Sequence, residues 1–201
     1  MKSLFITIEG IEGVGKTTQL KLLEKYLTEQ KIKHISTREP GGVPFAETMR
    51  KVLLHEEIAP MTELLLYEAA RSEHFEKIVQ PALQRGNVVI CDRFIDATIA
   101  YQGYGRGIDT ELIDTLNRIA TSGRKPDVTF FIDIPVKMAF ERLKQRGTEP
   151  DKFEKLSHDF YERVRSGYLT IHKKEPNRVI VIDGSGSPEA THKLITDKIK
   201  W

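Results

Sequence analysis

The sequence predicts an α/β fold in which helices surround a five-stranded parallel sheet. Five short runs rich in Ile, Val or Phe lack polar alternation, as do parallel strands that are buried on both faces. Stretches with apolar residues at helical spacing separate these runs, and this alternation of strands and helices is typical of a parallel sheet. No repeat, low-complexity tract or long linker is visible, so we expect residues 1–201 to form a single domain.

The order of the elements follows from these runs. The predicted strands are Leu4–Ile8, His34–Thr37, Val88–Cys91, Val128–Ile134 and Val179–Ile182. The predicted helices are Thr17–Gln30, Met61–Gln80, Thr110–Ser122, Val136–Arg146 and Pro188–Lys200. Ser187 is the expected N-cap of the last helix, because Pro188 suits a first helical position. Gly123 and Gly147 are the expected stops of two others.

Charge and composition exclude several classes of protein. A net charge of +2, from 31 basic and 29 acidic residues, does not indicate binding to nucleic acid or to a membrane surface. The longest apolar runs are far too short to span a bilayer, and no signal peptide is visible. The single cysteine, Cys91, excludes an internal disulfide and is expected to be a buried strand thiol. We therefore expect a cytoplasmic protein with neither nucleic acid nor membrane as a partner.

A phosphate-binding motif follows the first predicted strand directly. Residues 10–17 match G-x-x-x-x-G-K-[ST] without a mismatch, and a predicted helix follows. The glycines allow a tight turn around a phosphate chain, the lysine neutralises phosphate charge, and the Thr17 hydroxyl can ligate Mg²⁺. The motif predicts a P-loop NTPase of the three-layer αβα type. The expected ATP-binding residues are Gly10, Ile11, Glu12, Gly13, Val14, Gly15, Lys16, Thr17 and Thr18.

The rest of the chain favours a small kinase over other P-loop proteins. A GTPase switch would carry Asn-Lys-x-Asp, which is absent, and the D-x-x-G match at Asp183 lies too far from the P-loop. A motor or transporter ATPase needs a longer chain. Arginines suit phosphate binding through their planar guanidinium groups, and several lie in predicted loops or helix ends. These are Arg50, Arg71, Arg106, Arg142 and Arg146.

Three further segments carry a resemblance to a known family. They are Thr37-Arg38-Glu39-Pro40-Gly41-Gly42, Asp92-Arg93-Phe94 and Ala100-Tyr101-Gln102-Gly103-Tyr104-Gly105-Arg106-Gly107. In this order behind a P-loop, they resemble the bacterial thymidylate kinases, over nearly the whole chain. The resemblance implies transfer of the γ-phosphoryl of ATP to dTMP, Mg²⁺ bound with ATP, and a homodimer. The apolar helix Met61–Gln80 is a candidate interface, although the same residues would serve a core equally well.

The resemblance also implies roles at the phosphate and sugar of dTMP. Glu12 is expected to bond the 3′-hydroxyl, and Arg93 and Arg50 to bind the phosphate. Asp92 is expected either to orient Arg93 or to hold Mg²⁺ through water. Glu39 is expected near the phosphate and the metal, with Pro40 shaping the loop.

A second group of residues is implied at the base. Tyr67 is expected to stack on thymine, where the family usually has Phe. Arg71, four residues later on the same helix face, is expected at a base carbonyl. Gln102 is expected to read the thymine edge, Thr98 to lie near the sugar–base junction and Tyr101 to pack on the sugar. The alternatives are a solvated loop position for Glu12, a structural ion pair for Asp92 and Arg93, a surface position for Arg50, packing alone for Glu39 and Pro40, and a core role for Tyr67 and Tyr101.

The predicted lid covers residues 142–155, and its polar part is Thr148–Lys155. Some family members carry a catalytic arginine in the P-loop at the position of Gly13. Because this chain has glycine there, it resembles the type with basic residues in the lid. The expected catalytic residues are Lys16, Arg93, Arg142, Arg146 and Lys152. Arg142 is also a candidate to stack on adenine, beside residues 185–188.

Three other functions stay open at this point. A kinase for dUMP or a related pyrimidine would differ in the pocket around Tyr67 and Thr98. A nucleotide-dependent switch would bind or hydrolyse a nucleotide without phosphorylating an acceptor. An inactive scaffold is the third alternative, against which the intact Gly-Lys-Thr and Asp-Arg sequences argue.

Overall fold

The computed structural model describes residues 3–146, 152–153 and 156–199. Its strands are β1 (Phe5–Glu9), β2 (His34–Arg38), β3 (Val88–Asp92), β4 (Val128–Asp133) and β5 (Val179–Asp183). Within the described residues they form one sheet in the order β2-β3-β1-β4-β5, and every neighbouring pair is parallel. The centre of this sheet is therefore β1, which carries the P-loop at its carboxyl end.

All five predicted strands are confirmed, with ends within one residue of the prediction. Their apolar residues are buried, and Ile6, Ile8 and Ile90 have no exposed surface. Each strand continues to a polar residue at its carboxyl end, as where Asp92 pairs in register with Ile8 and Arg38. Backbone pairing thus delivers polar side chains to the edge of the sheet where ligands of such folds bind.

Helices surround the sheet. They are α1 (Lys16–Glu29), α2 (Pro44–His55), α3 (Pro60–His74), α4 (Gln80–Gln84), α5 (Ile95–Thr98), α6 (Thr110–Ala120), α7 (Val136–Arg146), α8 (His158–Lys174) and α9 (Pro188–Thr196), with π-helical segments at Phe75–Val79 and Ile99–Gly105. Ser187 caps α9 as predicted, since its hydroxyl accepts a hydrogen bond from the Ala190 amide at 3.2 Å. The expected stop at Gly147 lies outside the described residues.

Two predicted helices are wrong in detail, and one of them is the last, which ends at Thr196 and not at Lys200. Met61–Gln80 was expected to be continuous, but a π-helical segment at Phe75–Val79 separates α3 from α4. Pro81 lies at the start of α4. A proline has no N–H to donate and its ring crowds the carbonyl four residues earlier, here that of Lys77. The wider π turn at this point relieves both conflicts.

Three helical segments were not predicted, namely α2, α8 and the stretch Ile95–Gly105. Helix α8 packs closely on the π-helical part of that stretch. A side chain at Gly105 would place its Cβ 2.7 Å from Cε2 of the Phe160 ring. A side chain at Gly167 would meet the Tyr104 ring at a similar distance. These glycines let α8 press against the segment that carries Tyr101 and Gln102.

Two other predictions concern the single cysteine and membrane-spanning helices. Cys91 is a free thiol, fully buried in β3, as expected. Its thiol donates to the carbonyl of Arg93 at 3.0 Å. No helix among the described residues is long and apolar enough to cross a membrane.

A buried ion pair connects the segment after β3 to the opposite half of the sheet. Asp96 has no exposed surface, and its two carboxylate oxygens each accept a hydrogen bond of 2.7 Å from the Arg178 guanidinium. Thr129 in β4 donates to the same carboxylate at 2.9 Å. Because burying a charge is costly unless it is paired, this contact holds α5 against the start of β5.

We predict that replacing Arg178 with Met destabilises the protein by about 3–5 kcal/mol, because Asp96 would be left buried without its cation. Urea unfolding followed by circular dichroism would measure the loss. Arg118→Met is the control: Arg118 pairs with Asp114 at 3.7 Å on the exposed surface, so its removal should change stability little. Equal stabilities for the two variants would contradict the importance of the buried pair.

Candidate active site

The P-loop joins β1 to α1 and has the backbone that its glycines predict. Gly10, Gly13 and Gly15 have positive φ angles of 144°, 79° and 97°. A Cβ at Gly10 would lie 2.7 Å from the carbonyl oxygen of Ile132, so the residue also allows a close approach to β4. This loop leads directly into the N-terminus of α1, which is a favourable position for an anion.

Lys16 lies back over this loop and is mostly buried. Its ammonium donates to the carbonyl oxygens of Gly10 at 3.0 Å and Ile11 at 2.8 Å. Burial, helped by the charge of Arg93, lowers the pKa of Lys16 to about 8. A phosphate group arriving in the loop would therefore meet a cation that the empty protein stabilises poorly.

A cleft of about 440 Å³ opens beside the P-loop, a size typical of small-molecule sites. It brings together most of the predicted site residues. These are Glu12, Gly13, Gly15, Lys16, Thr17, Thr18, Glu39, Pro40, Arg50, Tyr67, Arg71, Asp92, Arg93, Thr98, Tyr101, Gln102 and Arg142. Gly10, Ile11 and Lys152 do not line it, and the Ile11 side chain is buried. Arg146 ends α7, and its side chain lies outside the described part of the chain.

A second depression of about 280 Å³ adjoins the P-loop on its other side. It is lined by Val14, Gly184, Gly186 and Pro188 among others, and Arg142 lines both it and the cleft. The Arg142 guanidinium donates to the carbonyl of Gly184 at 3.0 Å. This depression coincides with the region where adenine is expected.

Three side chains in the cleft form what we call the acceptor cluster: Glu12, Arg93 and Tyr101. Arg93 donates to Glu12 at 2.7 Å and to the Tyr101 hydroxyl at 3.0 Å, and that hydroxyl donates to Glu12 at 2.6 Å. Burial alone would raise the pKa of Glu12, but the charges of Arg93 and Lys16 hold it below its ordinary value. Glu12 thus stays ionised and can accept a further hydrogen bond.

The backbone of Arg93 is strained, with a φ of 69°. Glu9, a fully buried carboxyl at the end of β1, supports this turn by accepting a hydrogen bond from the Phe94 amide at 2.7 Å. Its second oxygen accepts from the Tyr168 hydroxyl at 2.7 Å. Asp92 does not bond Arg93: its Oδ1 is buried and has no hydrogen-bond partner among the described residues. Asp92 therefore does not orient Arg93 by direct contact.

Arg71 is almost fully buried and makes four hydrogen bonds. Its partners are Glu39 at 2.8 Å, Glu68 and Asn117 at 2.7 Å each, and the carbonyl of Phe94 at 3.1 Å. Since a guanidinium has five N–H groups, one is left without a partner among the described residues. That single donor is what Arg71 can offer to a ligand.

Glu39 is held by two groups. Besides Arg71, His74 bonds it through Nδ1 at 2.8 Å, while His74 Nε2 lies 2.7 Å from the Thr37 hydroxyl. Burial would raise the pKa of Glu39, but Arg71 and His74 hold it below its ordinary value. The next residue, Pro40, follows a cis peptide bond, and its carbonyl accepts from Arg50 at 3.0 Å.

Glu63 is the centre of a second cluster, which adjoins the cleft through Gln102. Its carboxylate pairs with Arg106 at 3.1 Å and Lys152 at 3.2 Å, and accepts from Gln102 Nε2 at 3.0 Å. Lys152 also donates to the carbonyl of Glu56. In this conformation the predicted lid lysine thus lies on α3.

The surroundings of Gly13 leave no room for a side chain at this P-loop position. A Cβ there would collide with the carbonyl oxygen of Ala139 and approach Cγ of Leu143 to 3.0 Å, both in α7. An arginine at this position would require α7 to move. The structure is therefore consistent with basic residues placed on or after α7 instead.

Sequence reasoning missed Glu9, Glu63 and Phe153. Phe153 is buried and lines the cleft, with its ring 6.0 Å from that of Tyr101. An acid that directly follows an apolar strand, as Glu9 does, is a signal that could have been found. Glu63 and Phe153 carry no local signal, because their roles depend on partners far away in the chain.

Comparisons with known proteins agree with this geometry. A family model described as thymidylate kinase matches residues 8–195. The thymidylate kinase of Geotalea uraniireducens is 52% identical over 200 residues, which cover 96% of this chain and 94% of that protein. The thymidylate kinase of Kosmotoga olearia is 44% identical over 194 residues, with coverages of 96% and 93%.

A solved structure is similar over its full length. The crystal structure of thymidylate kinase from Ehrlichia chaffeensis has a TM-score of 0.83 and 40% identity, and all of both chains is covered. Fold, P-loop and comparisons lead to the same conclusion: the chain belongs to the thymidylate kinase family, a group of nucleoside monophosphate kinases with the P-loop NTPase fold.

Proposed function

We propose that this protein transfers the γ-phosphoryl group of ATP to dTMP, giving dTDP and ADP for dTTP synthesis. One observation carries the proposal: a single cleft contains the P-loop and a second set of polar groups suited to a nucleotide. Glu12 belongs to both, because it lies in the P-loop and bonds Arg93. A nucleotide-dependent switch has no need for this second site.

ATP is proposed to bind along residues 10–18. Lys16 would exchange its bonds to Gly10 and Ile11 for the β- and γ-phosphates. Adenine would then lie in the second depression, against Arg142. Residues 142–155 would act as the lid that excludes water during transfer.

The phosphate of dTMP is proposed to bind Arg93 and Arg50. Arg93 uses only Nη2 in the acceptor cluster, so its Nε and Nη1 have no hydrogen-bond partner among the described residues. Glu12 would accept from the 3′-hydroxyl, with Tyr101 against the sugar. Glu39 and Pro40 would shape the wall beside the phosphate, where the Pro40 carbonyl holds Arg50.

The base is proposed to lie between Tyr67 and the segment that carries Thr98 and Gln102, all of which line the cleft. Burial raises the pKa of the Tyr67 hydroxyl, so this ring is neutral and can stack on a pyrimidine. The remaining N–H of Arg71 and the carboxamide of Gln102 would bond the base edge. Thr98 is almost fully buried, which leaves little room beside it for a 2′-hydroxyl.

Transfer is proposed to be direct and in line. A phosphate oxygen of dTMP attacks the γ-phosphorus, the bond from the γ-phosphorus to the β–γ bridging oxygen breaks, and ADP leaves. The attacking oxygen is already anionic near neutral pH, so no strong general base is required. Lys16, Arg93 and the lid cations Arg142, Arg146 and Lys152 would offset the charge that spreads over the transferring group.

Thr17 and Asp92 fit the Mg²⁺ that accompanies ATP. Both line the cleft, and the buried Oδ1 of Asp92 lacks a hydrogen-bond partner among the described residues. No cluster of three or more His, Cys, Asp or Glu side chains suited to a metal occurs in that part of the chain. Magnesium commonly binds one or two protein oxygens together with substrate phosphates. When bound, the ion would neutralise charge on the β- and γ-phosphates.

We further propose that the enzyme works in the cytoplasm, where its nucleotide substrates occur and where its one free thiol would stay reduced. Fractionation of cells followed by an activity assay would locate it.

A homodimer is also proposed, through neighbouring helices α3 and α6. Met61 and Leu65 on α3 are 43% and 50% exposed, and Ile119 on α6 is 72% exposed. Exposed apolar side chains on adjacent helices are suited to an interface. Sedimentation should show a dimer that Leu65→Lys weakens, whereas Lys25→Glu on α1 should leave it intact. A monomeric wild-type protein would contradict the proposal.

The acceptor specificity is the direct test of the function. With ATP and Mg²⁺, we expect dTMP to stimulate ADP release strongly, dUMP weakly, and dCMP, dGMP and UMP hardly at all. A coupled assay of ADP formation would measure each monophosphate in turn. Stronger stimulation by dUMP than by dTMP would favour a kinase for another pyrimidine. Nucleotide binding without stimulation by any monophosphate would favour a switch or a scaffold.

A second prediction follows from the pKa of Lys16, which is about 8 in the empty protein. Below this pH the ammonium form binds phosphate, and above it the neutral amine does not. ATP affinity should therefore fall as the pH rises through about 8, and binding at about pH 8.5 should take up protons, because phosphate stabilises the ammonium. Isothermal titration calorimetry in two buffers of different ionisation enthalpy would measure this uptake.

Two variants control for other sources of proton uptake. Lys16→Met should bind ATP weakly and without that uptake. Lys21→Met, on the exposed face of α1, should behave as the wild type. Proton uptake that persists in Lys16→Met would assign the titration to another group.

A further inference from the structure

Glu63 is a buried acid in the first turn of α3 that does not line the cleft itself. Its side chain is 1% exposed, and the groups that donate to it lie outside α3. Arg106 bonds both of its oxygens, at 3.3 Å and 3.1 Å, and Lys152 pairs with Oε2. Gln102 Nε2 donates to Oε1 at 3.0 Å. Such a carboxylate can influence a bound substrate only through these partners.

The contact with Gln102 determines how its carboxamide is oriented. An ionised carboxylate only accepts hydrogen bonds, so the nitrogen of the amide has to face Glu63 and the oxygen cannot. Within the described residues this is the only hydrogen bond of the Gln102 side chain. The carbonyl oxygen and the second N–H of the amide therefore form the edge that remains for a ligand, and Gln102 lines the cleft.

This edge suits one class of pyrimidine. The oxygen accepts from an N3–H, and the N–H donates to a keto oxygen at C4, which is the pattern of thymine and uracil. Cytosine has an acceptor at N3 and an amino donor at C4. If the carboxamide could rotate and exchange its oxygen and its nitrogen, the glutamine would satisfy both patterns, because these two ends are nearly the same shape. A glutamine fixed at its nitrogen satisfies only the keto pattern.

We propose that Glu63 is a positioning residue that fixes the Gln102 carboxamide and thereby makes the cleft select a 4-keto over a 4-amino pyrimidine. This inference rests on the proposed function, in which Gln102 contacts the base. Arg106 and Lys152 keep the carboxylate paired in its buried position, where a lone charge would be costly. Arg106 alone bonds both carboxylate oxygens, so it holds Glu63 beside Gln102 without the help of Lys152.

The test compares two acceptors that differ only in this edge, dTMP and 5-methyl-dCMP. We expect Glu63→Gln to lower the ratio of their kcat/KM values by about tenfold, the effect of one misplaced hydrogen bond. The reason is that the new side-chain amide can both donate and accept, so either orientation of Gln102 becomes satisfied. An unchanged ratio in a folded variant would overturn the proposal.

Two controls separate orientation from a general structural effect. In a Gln102→Ala background, Glu63→Gln should leave the ratio as it is, because the residue through which Glu63 acts is gone. Lys152→Met removes one ion pair of Glu63 but not its contact with Gln102, so it should also leave the ratio unchanged. A fall of the ratio in either control would show that Glu63 acts by another route and would overturn the proposal.

Stability and the proposed function are checked in the same series. Thermal unfolding would show whether Glu63→Gln folds. If it does not, Glu63→Asp is the substitute, because it keeps the charge for Arg106 and Lys152 but withdraws it from Gln102. The dTMP to 5-methyl-dCMP ratio of kcat/KM should fall in this variant as well. A wild-type protein that phosphorylates neither dTMP nor dUMP would refute the proposed function. Normal dTMP activity with a ratio insensitive to Glu63 would refute only this inference.

Discussion

Pairing of buried charge is the constraint on which the rest of this cleft depends. Cations needed to bind an anion are poorly solvated inside a protein, and an unpaired one would destabilise the fold or lose its proton. The chain places a carboxylate beside each buried arginine. Arg93 has Glu12, and Arg71 has Glu39 and Glu68. Lys16 hydrogen-bonds only carbonyl oxygens, and burial together with the charge of Arg93 lowers its pKa to about 8.

After these pairs form, each arginine keeps some N–H groups without a described partner, and their number differs between Arg71 and Arg93. Arg71 has one N–H without a described partner, whereas Arg93 has its Nε and both N–H groups of Nη1. A single donor suits one carbonyl of a base. Several donors on one planar group suit a phosphate, which can accept from two of them at once. The two arginines thus differ in how many N–H groups they leave for a ligand.

The sequence predicted those parts of the molecule that are encoded by neighbouring residues. Strands buried on both faces and the P-loop are contiguous patterns, and all of them are found at the predicted positions. The break after α3 was missed, because a proline acts on a carbonyl four residues earlier and periodicity alone does not show it. Helix α8 was missed although Ser157 caps it and its apolar residues recur at helical spacing.

The residues that support the site could not be predicted from neighbouring residues. Glu9 reaches the Phe94 amide across 85 residues, and Glu63 reaches Gln102 across 39. The position of Glu9 after an apolar run is visible in the sequence, but the partners of Glu9 and Glu63 are not, since each contact depends on how the sheet order and the helix packing bring distant segments together. The resemblance to a family pointed to Gln102 and Arg93, which are expected to touch the substrate. It also pointed to Glu12, which bonds Arg93, but not to Glu9 or Glu63.

The same charge pairing bears on how the lid lysine can move. Glu63 faces two cations, Arg106 and Lys152, and only one is needed to balance its charge. If Lys152 moves away, Arg106 still pairs with Glu63, and this buried carboxylate is not left alone. Loss of Arg93 would leave Glu12 without an ion-pair partner among the described residues, with only the nearby charge of Lys16 to stabilise it. Glu63 therefore has a spare cation partner, whereas Glu12 depends mainly on Arg93.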